Sequence, residues 1–268
     1  MIRIALVGAL GRMGQAIARL ADGNSNFSVT ATIERDAHEQ IGQSYAELTG
    51  IKHVKTEIAS WSMLENADSL FDAAIDFSVP ASTLITAMKC EQLGKPLVVG
   101  TTGWVSNELE KLQSVSSKIP LLISFNMSVG VNLLFSLAEK AAASLAGRDF
   151  DIEIMEVHHK HKKDAPSGTS RSLEKILLNK TNMTNENLVH AREGIVGERP
   201  RNQIGSFALR GGDVVGDHTV YFFGEGERIE IRHTATSRDI FARGALDAAS
   251  WLTNREPGSY TMQDVLSL

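Results

Sequence analysis

The amino-acid sequence predicts an α/β protein: a doubly wound parallel sheet joined to a second α+β domain with an open mixed or antiparallel sheet. Three observations lead there. The first half alternates short apolar runs with stretches of period 3.6. Glycine-rich turns stand where strands hand over to helices. From about Asn126 the pattern changes, ending in two strand-like runs across a Gly-Glu-Gly turn.

Ile2–Val7 is a buried strand, apolar except for Arg3, and Arg12–Ala21 is a helix with Met13, Ile17 and Leu20 on one face. Val29–Glu34 closes the first βαβ unit. The alternation continues through a strand at Ala73–Phe77, a helix at Ala81–Leu93, a strand at Pro96–Val99, a helix near Asn107–Val115 and a strand at Leu121–Phe125. A helix near Val131–Leu145 leads into Asp151–His159, where Ile152, Ile154 and Glu156 alternate against Glu153, Met155 and Val157 as in a strand with two different faces. Ser167, Gly168 and Thr169 open a helix carrying Leu173, Ile176 and Leu177. Asn179–Arg201 is polar, contains Pro200 and reads as an exposed excursion. His218–Phe223 and Arg228–Ala235 flank Gly224-Glu225-Gly226-Glu227, a hairpin signal. Ser237 precedes Ile240, Phe241, Ala245, Ala248 and Leu252 at helical spacing, and this last helix returns the chain to the first domain. The expected division is 1–126 with 238–268, and 127–237.

The chain has 268 residues, 43% hydrophobic and 22% charged, enough apolar material to bury a sizeable core. The formal charge of −5 argues against nucleic acid as a partner, which calls for a basic excess. A single cysteine, Cys90, cannot form an internal disulfide, and the start of the chain lacks a signal-peptide layout, so a cytoplasmic location is expected. Ile119–Ala138 carries no charge, but Pro120, Asn126, Gly130 and Asn132 interrupt it; it reads as strand, loop and helix, with no membrane partner.

The chemistry begins at Gly8-Ala9-Leu10-Gly11-Arg12-Met13-Gly14, between the first strand and first helix, where backbone amides and a helix N-terminus can receive a pyrophosphate. The spacing is GxxGxxG, and a tight turn without a ligand would also use these glycines. Glu34 ends the second strand about 20 residues beyond Gly14, the place for an acid that holds ribose hydroxyls. Arg35 can meet a ribose phosphate, so NADH and NADPH both stay open. Gly100-Thr101-Thr102-Gly103 and Ser124-Phe125-Asn126-Met127 follow apolar strands and can line the nicotinamide end; ordinary turn chemistry accounts for them equally well.

The densest signal is His158-His159-Lys160-His161-Lys162-Lys163-Asp164-Ala165-Pro166-Ser167-Gly168-Thr169. Three lysines within six residues make a positive field suited to an anionic ligand, and a histidine or a lysine beside other cations can release a proton near neutral pH. Amides at the start of the following helix can bind a carboxylate. A metal reading is set aside: His158 and His159 point to opposite faces if extended, the lysines repel a cation, and no cysteine or carboxylate completes a familiar ligand pattern.

Taken together, GALGRMG, the Glu34-Arg35 pair, GTTGW at Gly100, NMSVGVN at Asn126, EVHHKHKKDAPSGT at Glu156, VGDHTV at Val215 and the Ser237-Arg238 pair resemble the dihydrodipicolinate reductase family, over nearly the whole chain. The resemblance implies a Rossmann-like first domain and reduction of 4-hydroxy-tetrahydrodipicolinate, a cyclic dicarboxylate of the diaminopimelate route to lysine, with NADH or NADPH. It implies that Gly8, Ala9, Leu10, Gly11, Arg12 and Met13 hold the pyrophosphate, Glu34 the ribose and Arg35 the NADP phosphate. Gly100, Thr101 and Thr102, with Ser124, Phe125, Asn126 and Met127, would stand on the nicotinamide side. It further implies that His159, Gly168 and Thr169 bind the substrate carboxylate, that His158 and Lys162 donate the proton, and that the chain forms a homotetramer through its second domain. Two other readings remain: another two-domain NAD(P)-dependent dehydrogenase acting on a small carboxylate, and a non-catalytic dinucleotide sensor. Neither has a reason to keep the histidine–lysine element.

Overall fold

A computed structural model describes residues 1–64 and 67–268. In chain order it contains β1 (Ile2–Val7), α1 (Arg12–Asp22), β2 (Phe27–Ile33), α2 (Tyr45–Thr49), β3 (Ile58–Ala59), β4 (Ala73–Asp76), α3 (Pro80–Leu93), β5 (Leu97–Val99), α4 (Ser106–Ser114), β6 (Pro120–Ile123) and α5 (Val129–Leu145). There follow β7 (Asp151–His158), α6 (Gly168–Thr181), β8 (Leu188–Val189), β9 (Ile204–Arg210), β10 (Gly216–Gly224), β11 (Glu227–Ala235), α7 (Asp239–Leu252), β12 (Gly258–Tyr260) and α8 (Met262–Leu266). The chain divides into two units, one of Met1–Val129 with Asp239–Ser267 and one of Gly130–Arg238.

The first unit is a seven-stranded parallel sheet in the order β12-β6-β5-β4-β1-β2-β3. Period-2 alternation explains its layers. Ile4 and Leu6 of β1 join Ile17 of α1 and Leu246 of α7 in one core, whereas Ala5 and Val7 join Ala87 of α3 and Leu112 of α4 in another. Helices therefore cover both faces, as a buried parallel sheet requires. The strand order reverses between β1 and β4, so the loops after these two strands frame the crevice where doubly wound sheets take ligands.

The second unit is a mixed sheet in the order β11-β10-β7-β9-β8: β10 runs antiparallel to both β11 and β7, and β9 runs parallel to β7 and β8. On β7, Ile152, Ile154, Glu156 and His158 are buried while their neighbours are half-buried. Ile152 and Ile154 pack with Leu134 of α5, Leu173 and Leu177 of α6, and Phe222 of β10. Register places Met155, Val157, Phe207, Leu209, Tyr221 and Phe223 on the opposite face, all half-buried or exposed.

Several elements depart from the sequence expectations. The β7 strand stops at His158, because His159 leaves the ladder to bond the Val214 carbonyl. The excursion at Asn179–Arg201 is not wholly irregular: α6 continues to Thr181 and Leu188–Val189 form β8. Its later part is tied to the sheet, with Arg192 and Arg199 paired to Glu153 and Arg199 also to Asp151. The strands β3, β8, β9 and β12 and the helices α2 and α8 carry too few residues, or too irregular an alternation, to be read from periodicity; Gly205 breaks the pattern of β9. Among the described residues no helix is long and apolar enough to cross a membrane.

Candidate active site

In the first unit, backbone packing dictates the glycine loop. Gly8 has φ +72°, and a Cβ on it would stand 2.9 Å from the Phe77 carbonyl oxygen. A Cβ on Gly14 would fall 2.3 Å from the Gly8 oxygen, so the first turn of α1 presses directly on the loop. Three side chains then fix it. Tyr45, fully buried, donates from its hydroxyl to the Ala9 oxygen at 3.0 Å, and burial pushes its phenol up. Gln15 donates to the Leu10 oxygen at 2.8 Å. Glu34 accepts from the Leu10 amide at 2.9 Å, which places the predicted ribose ligand on the predicted pyrophosphate loop.

The α1 helix starts at Gly11 without a side-chain cap and without an acid in its first turn, so its amides and dipole present positive potential. Arg12 and Arg35 are exposed and Met13 is half-buried. Beside Glu34 and Arg35 runs a groove of about 570 Å³ lined by Trp61, Val79, Ile85 and Met88. Val79 is 60% and Met88 54% exposed, an apolar surface suited to an aromatic base. Sequence reasoning missed it, because these residues look like any apolar helix positions; Thr83, Ala87 and Cys90 take the inward face of α3 instead. A glycine cradle that excludes Cβ atoms, a helix start without an acid and an apolar groove beside an acid–arginine pair fit a dinucleotide.

The loops after β4, β5 and β6 are organised around Asp76, which is wholly buried. Its Oδ1 accepts from the Ser78 amide at 2.9 Å, the Ser78 hydroxyl at 2.6 Å, Thr83 at 3.0 Å and Thr101 at 3.1 Å. Burial raises its carboxyl above the ordinary range against these hydrogen bonds. Gly100 is required because a Cβ there would meet the Phe77 ring at 2.1 Å. Thr101 is buried and Thr102 exposed. Ser124 donates to the Asn126 carbonyl oxygen at 2.8 Å in a turn that leaves Phe125 63% exposed and Met127 buried.

In the second unit, the end of β7 meets the start of α6. Glu156 is 1% exposed; its Oε2 contacts His158 Nδ1, and its Oε1 accepts from the Ser167 amide at 2.8 Å and from Arg210 at 3.0 Å. Although burial opposes it, hydrogen bonds from His158, Arg210 and Ser167 hold this carboxyl at about 2. Ser167 caps α6, its hydroxyl accepting from the Ser170 amide at 3.2 Å. The same hydroxyl lies 3.1 Å from His218 Nε2. Burial, with His158 next, lowers the His218 imidazole to about 4, so it stands neutral. Lys162 is paired to Asp164 at 2.9 Å, with its side chain 20% exposed. His159 Nε2 accepts from Arg238 at 3.2 Å, and desolvation together with that guanidinium lowers its imidazole. Gly168 is exposed and Thr169 half-buried in the first turn of α6, which holds no acid.

The fold thus gathers His158, His159, Lys162 and the Ser167–Thr169 turn at one end of β7. It adds Glu156, Arg210, His218 and Arg238, which were not singled out as site residues. Glu156 left a signal in its place on the buried face of the strand, and His218 and Arg238 stand in the VGDHTV and Ser237-Arg238 segments, but nothing along the chain joined them to this site. The metal argument also changes: ligand atoms of Glu156, His158 and His218 lie within 4.8 Å of one another, a set invisible along the chain because His218 arrives from β10. The Arg210 guanidinium already supplies a positive charge to that carboxylate.

Comparison with known proteins identifies the family. Residues 2–127 match the family described as dihydrodipicolinate reductase, N-terminus, and residues 130–266 match dihydrodipicolinate reductase, C-terminus. The chain is 46% identical over 271 residues to a 4-hydroxy-tetrahydrodipicolinate reductase of Aquifex aeolicus, covering 100% of this chain and 99% of that one. It is 45% identical over 267 residues to the Saccharophagus degradans enzyme of the same name, covering 99% and 98%. In fold it resembles a dipicolinate-bound dihydrodipicolinate reductase of a Paenisporosarcina species, with a TM-score of 0.76 at 24% identity over 98% of each chain. The chain belongs to the dihydrodipicolinate reductase family.

Proposed function

We propose that this protein reduces 4-hydroxy-tetrahydrodipicolinate (dihydrodipicolinate) to tetrahydrodipicolinate in the diaminopimelate route to lysine, as an NAD(P)H-dependent oxidoreductase. The observation that carries the reading is the assembly at the end of β7: two histidines and a lysine beside the start of a helix whose first turn holds no acid. The first unit is the dinucleotide-binding domain. Gly8–Met13 hold the pyrophosphate, Glu34 the ribose, Arg35 the extra phosphate of NADPH, and Gly100–Thr102 with Ser124–Met127 the nicotinamide side. The second unit binds substrate. Its His159, Gly168 and Thr169 hold a carboxylate, with Arg238 fixing the His159 ring at 3.2 Å.

Bound NADH or NADPH supplies the hydride, which adds to one carbon of a conjugated imine. Negative charge develops across that system, and a proton from Lys162 or His158 neutralises it. Asp164, 2.9 Å from Lys162, holds the ammonium in place. We also assign the protein to the cytoplasm and, on the apolar face carrying Met155, Phe207, Leu209, Tyr221 and Phe223, to a homotetramer joined through the second unit. The decisive experiment follows nicotinamide absorbance with the product of the preceding aldol-condensing synthase, supplying NADH and NADPH separately. Oxidation of at least one nucleotide, dependent on that product, is expected; none with either would reject the reading. Light scattering in solution reads the assembly.

A further inference from the structure

Glu156 lies two residues before His158 on the same face of β7. A buried carboxylate is retained only where its charge and its lone pairs are satisfied, and here each oxygen has a separate task. Oε2 meets Nδ1 of His158, which sets the orientation of the ring and turns Nε2 away from the carboxylate. Nε2 faces Gly216, where a Cβ would lie 3.0 Å away, so the missing side chain keeps space at that nitrogen. Oε1 accepts from the Ser167 amide at 2.8 Å, and Ser167 is the cap from which α6 begins. Arg210, paired with His158 across the β7–β9 ladder, donates to Oε1 and to the Asp164 carbonyl oxygen, bracing the same carboxylate against the loop.

We propose that Glu156 is a positioning residue that couples the two parts of the substrate site, one oxygen orienting the proton donor His158 and the other anchoring the helix start that holds the substrate carboxylate. The inference rests on the roles proposed above for His158 and for Gly168–Thr169. It explains why an acid stands among cationic side chains that would bind an anion: its charge is spent inward, on His158, Ser167 and Arg210. The charged and titratable groups around the His158 ring are Glu156 on its own strand, Arg210 on β9, His218 on β10 with His233 paired behind it on β11, and His159 and Lys162 in the loop. Glu156 is the carboxylate among them.

The test is steady-state kinetics of Glu156→Gln, read as kcat against KM for each substrate, with Glu174→Gln as a control; Glu174 is a second buried carboxylate, on α6 and 3.9 Å from His190. For Glu156→Gln, kcat falls about 10- to 100-fold, as for other residues that orient a functional histidine. KM for the dicarboxylate rises and KM for NADH stays as in the wild type. Glu174→Gln leaves all three unchanged. A folded Glu156→Gln enzyme with wild-type kcat and wild-type KM for the dicarboxylate overturns the proposal. If that variant does not fold, Glu156→Asp, whose shorter arm cannot reach both partners, is read by the same criteria. His158→Ala separates the two levels: impaired turnover there with a normal Glu156→Gln sinks the coupling alone, whereas full turnover in His158→Ala removes the donor role and the coupling together.

Discussion

The Glu34 carboxylate accepts the Leu10 amide at 2.9 Å, so the acid at the end of β2 braces the glycine loop through its side chain. Arg35, the next residue, is exposed and paired to no carboxylate by any described ion pair, leaving its guanidinium available to a phosphate. On the proposed roles, the two neighbours divide the work between structure shared by both nucleotides and a charge that only NADPH uses.

Arg35→Ala is expected to raise KM for NADPH about 10- to 100-fold, the range for a lost charge-assisted hydrogen bond, while KM for NADH changes little. Glu34→Ala should weaken both nucleotides, because it also releases the Leu10 amide. Equal loss of NADH and NADPH in Arg35→Ala would show that Arg35 does not meet the ribose phosphate.

Gly14→Ala places a methyl group 2.3 Å from the Gly8 oxygen and 2.6 Å from the Ala9 oxygen, both backbone atoms that cannot step aside. A cost of about 1–3 kcal/mol is expected, read as a lower melting temperature together with a raised KM for either nucleotide. Gly211→Ala is the control, since a Cβ there meets nothing within 4 Å. Equal melting temperatures for the two variants would mean that the loop and α1 can separate without cost.

These glycines were legible in the sequence because strand, turn and helix follow one another locally. The βαβ order, the β10–β11 hairpin and the histidine–lysine element were legible for the same reason. What escaped is what the fold brings from a distance or leaves outside a repeat. His218 reaches Ser167 from β10, and Arg238 reaches His159 from beyond β11. The groove on α3 escaped because Ile85 and Met88 are apolar without being core, and only the burial of Thr83, Ala87 and Cys90 shows which side of the helix faces inward. The sheet edges β3, β8 and β12 are too short for alternation to register.

Lys162 is expected to act in proton donation, and Asp164 at 2.9 Å fixes where its ammonium sits. Lys162→Ala should lower turnover about 10²- to 10⁴-fold, the usual span for a lost general acid, with NADH affinity almost unchanged. His159→Ala should act mainly on KM for the dicarboxylate. Wild-type turnover in Lys162→Ala with only weaker substrate binding would make Lys162 an electrostatic anchor and leave His158 as the donor.

Two buried groups whose folded values lie well below their ordinary ones, His218 and Glu156, contribute to acid stability, and their signs can be worked separately. His218, ordinarily near 6.5, stands at about 4 because burial disfavours its charged form. The unfolded chain takes up that proton first, so stability is full above about 6.5 and falls as pH drops toward 4, by on the order of 3 kcal/mol at about 1.4 kcal/mol per unit. Glu156, ordinarily near 4.5, is held at about 2 by His158, Arg210 and Ser167; its contribution is present above 4.5 and is lost as pH falls through 2. His218 therefore contributes to the decline of the melting temperature in the upper window and Glu156 in the lower one. His218→Asn removes its share: between pH 6.5 and 4.5 the melting temperature of the variant should fall less steeply than that of the wild type, the remaining slope there coming from His159 and His233, whose imidazoles burial also lowers. Parallel curves over the whole range would show that His218 is not carried into the folded state as a neutral ring.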